Sequence, residues 1–125
     1  DGNLDGIYPD HLRQSDFVVE NMTIVNNAAN TTDNVDRMQD VIKIRRGAKA
    51  TITNALVKGS GGTIDLIDMN DSKGAGNAAS SISITHTLNF KNKLNGTLNT
   101  FTEPTTNTGA DASLFTWSGY NFSSL

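Results

Sequence analysis

The first residues of the chain have the types and spacing of a calcium-binding loop. Asp1, Asn3 and Asp5 follow the D-x-[DN]-x-[DN] pattern, and Gly6 stands where such a loop turns sharply. Carboxylate and amide oxygens are the ligands that Ca²⁺ prefers. The twelfth position of such a loop carries a carboxylate, but here it is Leu12. A solvated loop of Asx turns is therefore the favoured interpretation, and a calcium site at Asp1, Asn3 and Asp5 is the alternative. Beyond calcium we expect no cofactor.

Five residues spread along the chain form a second candidate site, for an acidic glycan. They are Tyr8, Lys43, Arg45, Asp65 and Asp68. A polysaccharide lyase needs a cation to neutralise the carboxylate of its substrate and a base, which can be arginine, lysine or histidine, to remove a proton. Lysine–aspartate pairs on neighbouring strands are also an ordinary way of stabilising a sheet. We favour this structural role and keep ligand binding as the alternative.

Other catalytic patterns find little support in the sequence. No serine lies in a G-x-S-x-G motif. The glycine-rich stretches GSGG (59–62) and GAG (74–76) lack the Lys-Ser/Thr that completes a phosphate-binding loop. A glycosidase needs two carboxylates at a suitable separation, and Asp65 and Asp68 are expected on opposite faces of one strand. A pair from neighbouring turns, such as Asp40 with Asp65, stays open as a weak alternative. We assign no catalytic residue and favour a non-enzymatic protein, leaving the question of catalysis open.

The composition of the chain narrows the function classes further. The net charge of −3 comes with scattered basic residues, which argues against a nucleic-acid partner. The chain has no cysteine, and no apolar run is long enough to cross a bilayer. Fifteen Asn, fifteen Thr and ten Ser make up nearly a third of the residues, a bias typical of β-rich secreted proteins. We expect an extracellular or cell-surface location, associated with an outer membrane.

Strands that could position these residues repeat along the chain. Three segments share a layout of alternating apolar residues around a central polar residue. They are FVVENMTIVNN (17–27), ATITNALVKGS (50–60) and SISITHTLNFKN (81–92). The spacing from Val19 to Ile52 is 33 residues, and that from Ile52 to Ile84 is 32. The third copy is expected to contain one extra residue. The central polar residues are Asn21, Asn54 and His86.

A second type of strand recurs between the first. Its copies are VIKIRRG (41–47), TIDLID (63–68) and a weaker GIYPD (6–10). The first two are 22 residues apart, which places Ile64 against Ile42 in the interior and Asp65 beside Lys43 on the outside. Two strand types that recur in turn predict an all-β fold, a right-handed parallel β-helix of about three turns. A β-sandwich is the alternative, because short strands separated by turns are also typical of it.

The ends of such a β-helix matter because its strands leave unpaired edges there. Residues 1–125 are expected to form one domain, the C-terminal segment of a longer β-helix. An aromatic cap is predicted over the last turn. Its residues are Phe115, Trp117, Tyr120 and Phe122. The upstream end has no such cap and could accept another strand by edge pairing.

Two stretches of the chain resemble a known family. DVIKIRRGAKATITNALVKGSGGTIDLID (40–68) resembles the R-R-G-centred turn of large β-helix surface proteins of Bacteroidetes, often labelled hypothetical or "multidrug transporter". GADASLFTWSGYNF (109–122) is similar to their C-terminal tail. The resemblance covers most of residues 35–122 and implies a pectin-lyase-like fold in an exported protein whose biochemical role is not established. Transport is not expected, because no segment could span a membrane.

These observations together predict a non-enzymatic, exported β-helix module for structure or interaction. Its expected partners are a glycan or another surface protein, including an upstream β-helix segment. Two alternatives stay open. One is a polysaccharide-lyase-like enzyme acting on acidic glycans, and the other is an assembly module that pairs through its open end.

Overall fold

The computed structural model describes residues 14–26, 39–59 and 64–106, and these residues form strands and turns without a helix. No helix in these segments could span a membrane. Tyr8, the aromatic residues expected to cap the last turn and the calcium candidates Asp1, Asn3 and Asp5 lie outside the described residues. The strands are β1 (Asp16–Glu20), β2 (Thr23–Asn26), β3 (Asp40–Lys43), β4 (Lys49–Gly59), β5 (Asp65–Asp68), β6 (Ser81–His86), β7 (Asn92–Asn95) and β8 (Thr100–Thr102).

The strands form two sheets, and every pairing between these eight strands is parallel. The larger sheet has the order β1-β4-β6-β8, and β2 pairs with β4 beside β1. The smaller sheet has the order β3-β5-β7. After β2, successive strands along the chain alternate between the two sheets. The predicted all-β class is confirmed, and its strands are parallel.

The core consists of aliphatic side chains stacked in register across neighbouring strands. In the larger sheet Val19 pairs with Ile52, Ile52 with Ile82, and Ile82 with Phe101. Ile52 and Ile82, in the middle of this column, are buried, whereas the residues at its two ends are only partly buried. Parallel pairing places equivalent positions of successive strands on the same face, so an alternating pattern repeated along the chain becomes a continuous apolar column.

The corner between β3 and β4 is made by the R-R-G sequence. Arg46 (φ 55°) and Gly47 (φ 76°) both adopt left-handed backbone conformations, which turn the chain sharply between the two sheets. Their N–H groups donate to the carbonyls of Gly74 (2.7 Å) and Ala75 (2.9 Å). The connection between β5 and β6, to which Gly74 and Ala75 belong, passes close to the core. A Cβ on Gly76 in this connection would lie 2.7 Å from the carbonyl oxygen of Ile44. Glycine at position 76 therefore permits this close approach.

The register of the larger sheet agrees with the sequence in one pairing and departs from it in the next. Val19 pairs with Ile52, as predicted from the 33-residue spacing. Ile52, however, pairs with Ile82 instead of Ile84, and Ile84 pairs with Ala55. The prediction of an extra residue in the third copy was wrong. Between these two pairings β4 advances from Ile52 to Ala55 while β6 advances only from Ile82 to Ile84, so the extra residue lies in β4, the second copy.

The register of the smaller sheet also differs from the predicted one. Asp65 pairs with Asp40, and Asp68 pairs with Lys43, which is three residues further along than the sequence suggested. This register stacks Ile42 on Ile67, and both are buried. A change of register by an odd number of residues, here three, moves each side chain of a strand to the opposite face of the sheet. The prediction that placed Asp65 beside Lys43 was wrong because the observed register forms an apolar column and a lysine–aspartate pair together.

Shortening a side chain in the middle of the apolar column should destabilise the fold. Ile82 is almost fully buried between Ile52 and Phe101, so Ile82→Ala removes buried methyl groups and leaves a cavity. We expect the free energy of unfolding to fall by about 2–5 kcal/mol, measured by urea denaturation. Val18→Ala is the control, because Val18 is 66% exposed, and it should cost less than about 0.5 kcal/mol. Equal losses in the two variants would contradict this arrangement of the core.

Candidate functional site

The ammonium group of Lys43 is surrounded by carboxylates from three elements. Lys43 ends β3, and its Nζ lies 2.9 Å from Oδ2 of Asp68, 3.1 Å from Oδ2 of Asp40 and 3.5 Å from Oδ2 of Asp71. Asp40 begins β3, Asp68 ends β5, and Asp71 belongs to the connection that follows β5. Parallel pairing of β3 with β5 brings these groups together, since both strands end at the same edge of the sheet. We call these four residues the Lys43 cluster.

Two of the carboxylates in this sheet are held by amides of the next strand. The Nδ2 group of Asn92 donates to Oδ1 of Asp65 at 2.7 Å, and that of Asn95 donates to Oδ1 of Asp68 at 3.0 Å. The backbone N–H of Asn70 gives Oδ1 of Asp68 a second hydrogen bond, at 2.9 Å. Both aspartates are buried, so these bonds replace the water that they lose. Their carboxylates therefore act inside the structure and are poorly placed to meet a ligand.

The electrostatics of the Lys43 cluster favour the protonated form of the lysine. The hydrogen bond to Asp68 raises the pKa of Lys43 above its ordinary value, and burial, which acts in the opposite direction, does not outweigh it. Burial raises the pKa of Asp40, although its hydrogen bond with Lys43 opposes the change. The backbone N–H of Lys73 lowers the pKa of Asp71, with Lys43 contributing. A lysine held in its protonated form cannot serve as a general base, so Lys43 is unsuited to that step of a lyase reaction.

The structure brings together only some of the residues predicted to bind a ligand. Lys43 and Arg45 both approach Asp71, with the Nη1 group of Arg45 3.6 Å from its Oδ2. The side chains of Lys43 and Arg45 are 31% and 32% exposed, which leaves them as the accessible charges of the predicted set within the described segments. Asp68 joins the Lys43 cluster, whereas Asp65 lies with Asn92 instead.

Two members of the Lys43 cluster, Asp40 and Asp71, were not among the residues predicted to bind a ligand. The signal for Asp40 was its place three residues before Lys43, at the start of the same strand. Asp71 gave no usable signal, because it lies in a connection whose path depends on tertiary packing. Among the described residues, no group of three or more His, Asp or Glu side chains is placed to hold a metal ion.

A second polar cluster surrounds His86 at the end of β6. The Nδ1 atom of His86 lies 2.9 Å from the carbonyl oxygen of Leu88, and its Nε2 atom lies 2.6 Å from Oε1 of Glu103. The Nζ group of Lys93 lies 3.0 Å from Oε1 and 3.2 Å from Oε2 of Glu103. The ring of Phe90 packs edge-on against the imidazole, with centroids 5.4 Å apart. Because both ring nitrogens already face acceptors, His86 is engaged in joining three segments of the chain. We call this group the His86 clasp.

The prediction that His86 takes the place of Asn21 and Asn54 was wrong. His86 pairs with Val57 in the observed register, three positions beyond Asn54. The extra residue of β4 is part of the reason, since it shifts all positions that follow it.

The burial of Glu103 acts to raise the pKa of its carboxyl group, but hydrogen bonds from His86 and Lys93 outweigh it and lower that pKa.

The two asparagines stack on each other at the bulge of the larger sheet. Asn21 (φ 57°) and Asn54 (φ 58°) both adopt the left-handed conformation, which asparagine tolerates better than most residues. The Nδ2 group of Asn54 donates to Oδ1 of Asn21 at 2.9 Å, and the backbone N–H of Asn21 donates to the carbonyl of Thr53 at 3.0 Å. This pair joins the edge row, formed by β1 and β2, to β4.

Comparison of the chain with protein-family models, with curated proteins and with solved structures found no match. The expected relationship to Bacteroidetes surface proteins therefore stays a prediction. The calcium site and the glycan-binding role of the candidate residues likewise stay predictions.

Removing the charge of Lys43 should destabilise the protein in a pH-dependent way. Lys43→Met leaves partly buried carboxylates without their shared cation, and we expect a loss of about 1–3 kcal/mol at pH 7, smaller than for a fully buried pair because Lys43 is partly exposed. The variant also loses the interaction that opposes the raised pKa of Asp40. A carboxyl group with a raised folded-state pKa stabilises the fold when protonated and loses this contribution as the pH rises through that pKa. The difference in unfolding free energy between the variant and the unmodified protein should therefore become smaller as the pH falls to about 4.

Lys49→Met provides the matched control for this experiment. Lys49 lies 3.3 Å from Oδ2 of Asp16, whose side chain is 60% exposed, so its loss should cost less than about 1 kcal/mol. Urea denaturation at several pH values measures both variants. A deficit for Lys43→Met that is as small as the control, or one that does not change with pH, would contradict the role assigned to the Lys43 cluster.

Glu103→Gln should weaken the His86 clasp only where the carboxylate is ionised. The folded-state pKa of Glu103 is lowered, so its stabilising contribution is present above the unfolded value of 4.5 and is lost as the pH falls through the folded value. We expect the variant to lose less than about 1 kcal/mol above about pH 5 and nothing in stronger acid, because Glu103 is partly exposed. Glu20→Gln, a change at an exposed position of β1, is the control. An effect that grows in acid would contradict the direction of the pKa change.

Proposed function

We propose that the chain is part of a right-handed parallel β-helix that acts as a non-enzymatic module of an exported or cell-surface protein. The alternation of successive strands between two parallel sheets supports the β-helix, since each return to the same sheet adds one strand to it. The stacked asparagines and the amide-bound aspartates support it as well, because such columns arise when successive turns lie in register.

The observation that carries the non-enzymatic role is the engagement of Lys43 by three carboxylates. Lys43 is one of the residues that could act as the base of a lyase mechanism, and Asp68 and Asp40 favour the protonated form of its ammonium group. Asp65 and Asp68 in turn accept hydrogen bonds from Asn92 and Asn95. A site in which each charged group is bound by another contributes to the stability of stacked turns. Catalysis would instead need a group poised to change its protonation state.

An interaction with acidic glycans would use the exposed parts of Lys43 and Arg45. Both side chains are about one-third exposed and lie at the same edge of the smaller sheet. Each is also bound to Asp71, so a glycan carboxylate would have to compete with that side chain. This arrangement supports weak contact at a structural surface more than a deep specific site.

Incubation with acidic polysaccharides tests the proposed role. The full chain is mixed with polygalacturonate, alginate or chondroitin sulfate, and the ultraviolet absorbance of unsaturated products is followed. We expect no product above that formed in the absence of protein. Product formation that is abolished in Lys43→Met and retained in Lys49→Met would overturn the non-enzymatic role. Antibody labelling of intact producing cells tests the surface location, and labelling that requires lysis would contradict it.

A further inference from the structure

The larger sheet presents a regular array of hydroxyl groups on the face opposite its apolar column. Ile52, Ile82 and Phe101 belong to that column, so the residues on either side of each point to the outer face. Every one of these flanking residues is a threonine or a serine. We call them the hydroxyl array, and they are Thr51, Thr53, Ser81, Ser83, Thr100 and Thr102.

The pairing of β4, β6 and β8 aligns the hydroxyl array in two rows. The first row consists of the paired residues Thr51, Ser81 and Thr100. In the second row Ser83 pairs with Thr102, and Thr53 lies opposite Ser83 within the bulge of β4. Neighbours within a row are about 4.8 Å apart, and the two rows are about 6.6 Å apart along each strand. The hydroxyl groups therefore repeat in two directions.

The hydroxyl array makes few hydrogen bonds within the protein. The Nδ2 group of Asn99 donates to Oγ1 of Thr100 at 3.4 Å. Within the described segments, the other five hydroxyl groups have no hydrogen-bond partner. Thr53, Thr100 and Thr102 are exposed, and the three members in the middle of the sheet are partly exposed. Each hydroxyl group can donate one hydrogen bond and accept two, so this face has unused bonding capacity.

The chemistry of the face narrows what could bind to it. The charges beside the hydroxyl array lie at one margin, where Asp16 and Glu20 belong to β1 and Lys49 lies 3.3 Å from Asp16. A polyanion would need cations across the face, and a sugar surface would need aromatic rings to stack on. A protein partner would need large apolar or aromatic anchors. None of these groups occurs in the hydroxyl array, which instead suits a neutral surface that both donates and accepts hydrogen bonds.

We propose that the hydroxyl array binds the surface of ice. Ice presents water molecules at fixed, repeating positions, and each of them donates and accepts hydrogen bonds. The array repeats in two directions in the same manner. The β-branched threonine side chains have few rotamers, so they lose little conformational entropy on binding. Ice binding is an activity beyond the proposed structural role, and it depends on the observed pairing of β4, β6 and β8.

Ice growth in the presence of the full chain tests the proposal. We expect the protein to stop recrystallisation in a frozen solution and to lower the freezing point below the melting point. Ser81→Lys places a charge at the centre of the first row. It should raise the protein concentration needed to stop recrystallisation roughly tenfold, because the charge would lose its water on contact with ice. Ser81→Thr keeps the hydroxyl group and should retain full activity.

Thr97→Lys is the matched control for the added charge. Thr97 is exposed in the connection between β7 and β8, outside the hydroxyl array, so its replacement should leave the activity unchanged. Thr102→Lys, at an exposed position within the array, should lower the activity as Ser81→Lys does. This second variant keeps the test decisive if a change at Ser81 prevents folding, and urea denaturation shows whether each variant is folded.

Several results would overturn the proposal. One is the absence of both effects on ice with the unmodified chain, and another is an equal loss of activity in Thr97→Lys. Full activity in a folded Thr102→Lys variant would also contradict it. Binding to insoluble cellulose, or self-association measured by light scattering, tests the other occupants. If Ser81→Lys abolishes either of these and leaves ice growth unaffected, the face belongs to a polysaccharide or to a second copy of the chain.

Discussion

The stacking of like side chains on parallel, in-register strands is the constraint on which the rest of this structure depends. Neighbouring strands lie about 4.8 Å apart, so each side chain is in contact with the side chain at the paired position of the next strand. Apolar residues gain from this contact, as in the column through Ile52 and Ile82. Amides gain as well, because one asparagine can donate while the next accepts. A longer column of like charges would lose, and the stacked pair Asp40 and Asp65 is followed by Asn92 instead of a third carboxylate.

The smaller sheet shows how charged positions meet this constraint. Asp40 stacks on Asp65, but the next position in that column is Asn92, whose amide binds the buried carboxylate of Asp65. In the neighbouring column Lys43 stacks on Asp68, so opposite charges meet directly. Burial makes each of these carboxylates costly unless it is bound. Three of the residues that suggested glycan chemistry, Lys43, Asp65 and Asp68, thus also take part in this stacking.

The two ends of the larger sheet are finished differently. Beyond β8, the His86 clasp holds the chain through Glu103, and the hydroxyl of Thr85 donates to the carbonyl of Pro104 at 3.1 Å. At the edge row, Asn21 is the last asparagine of its column among the described strands, and Phe17 and Val18 are exposed. Side-chain bonds therefore hold the chain at the β8 end of the larger sheet.

Sequence by itself determined the all-β class, the recurrence of two strand types and the pairing of Val19 with Ile52. These features depend on alternation of apolar residues and on a repeat length, both of which are local or periodic properties. Only the tertiary structure decided the register of the smaller sheet and the bulge in β4, because short alternating strands fit several registers equally well. The Lys43 cluster followed from that register, together with Asp71, which a distant connection supplies. Its members are close in space through the pairing of strands, a contact that spacing along the chain does not specify.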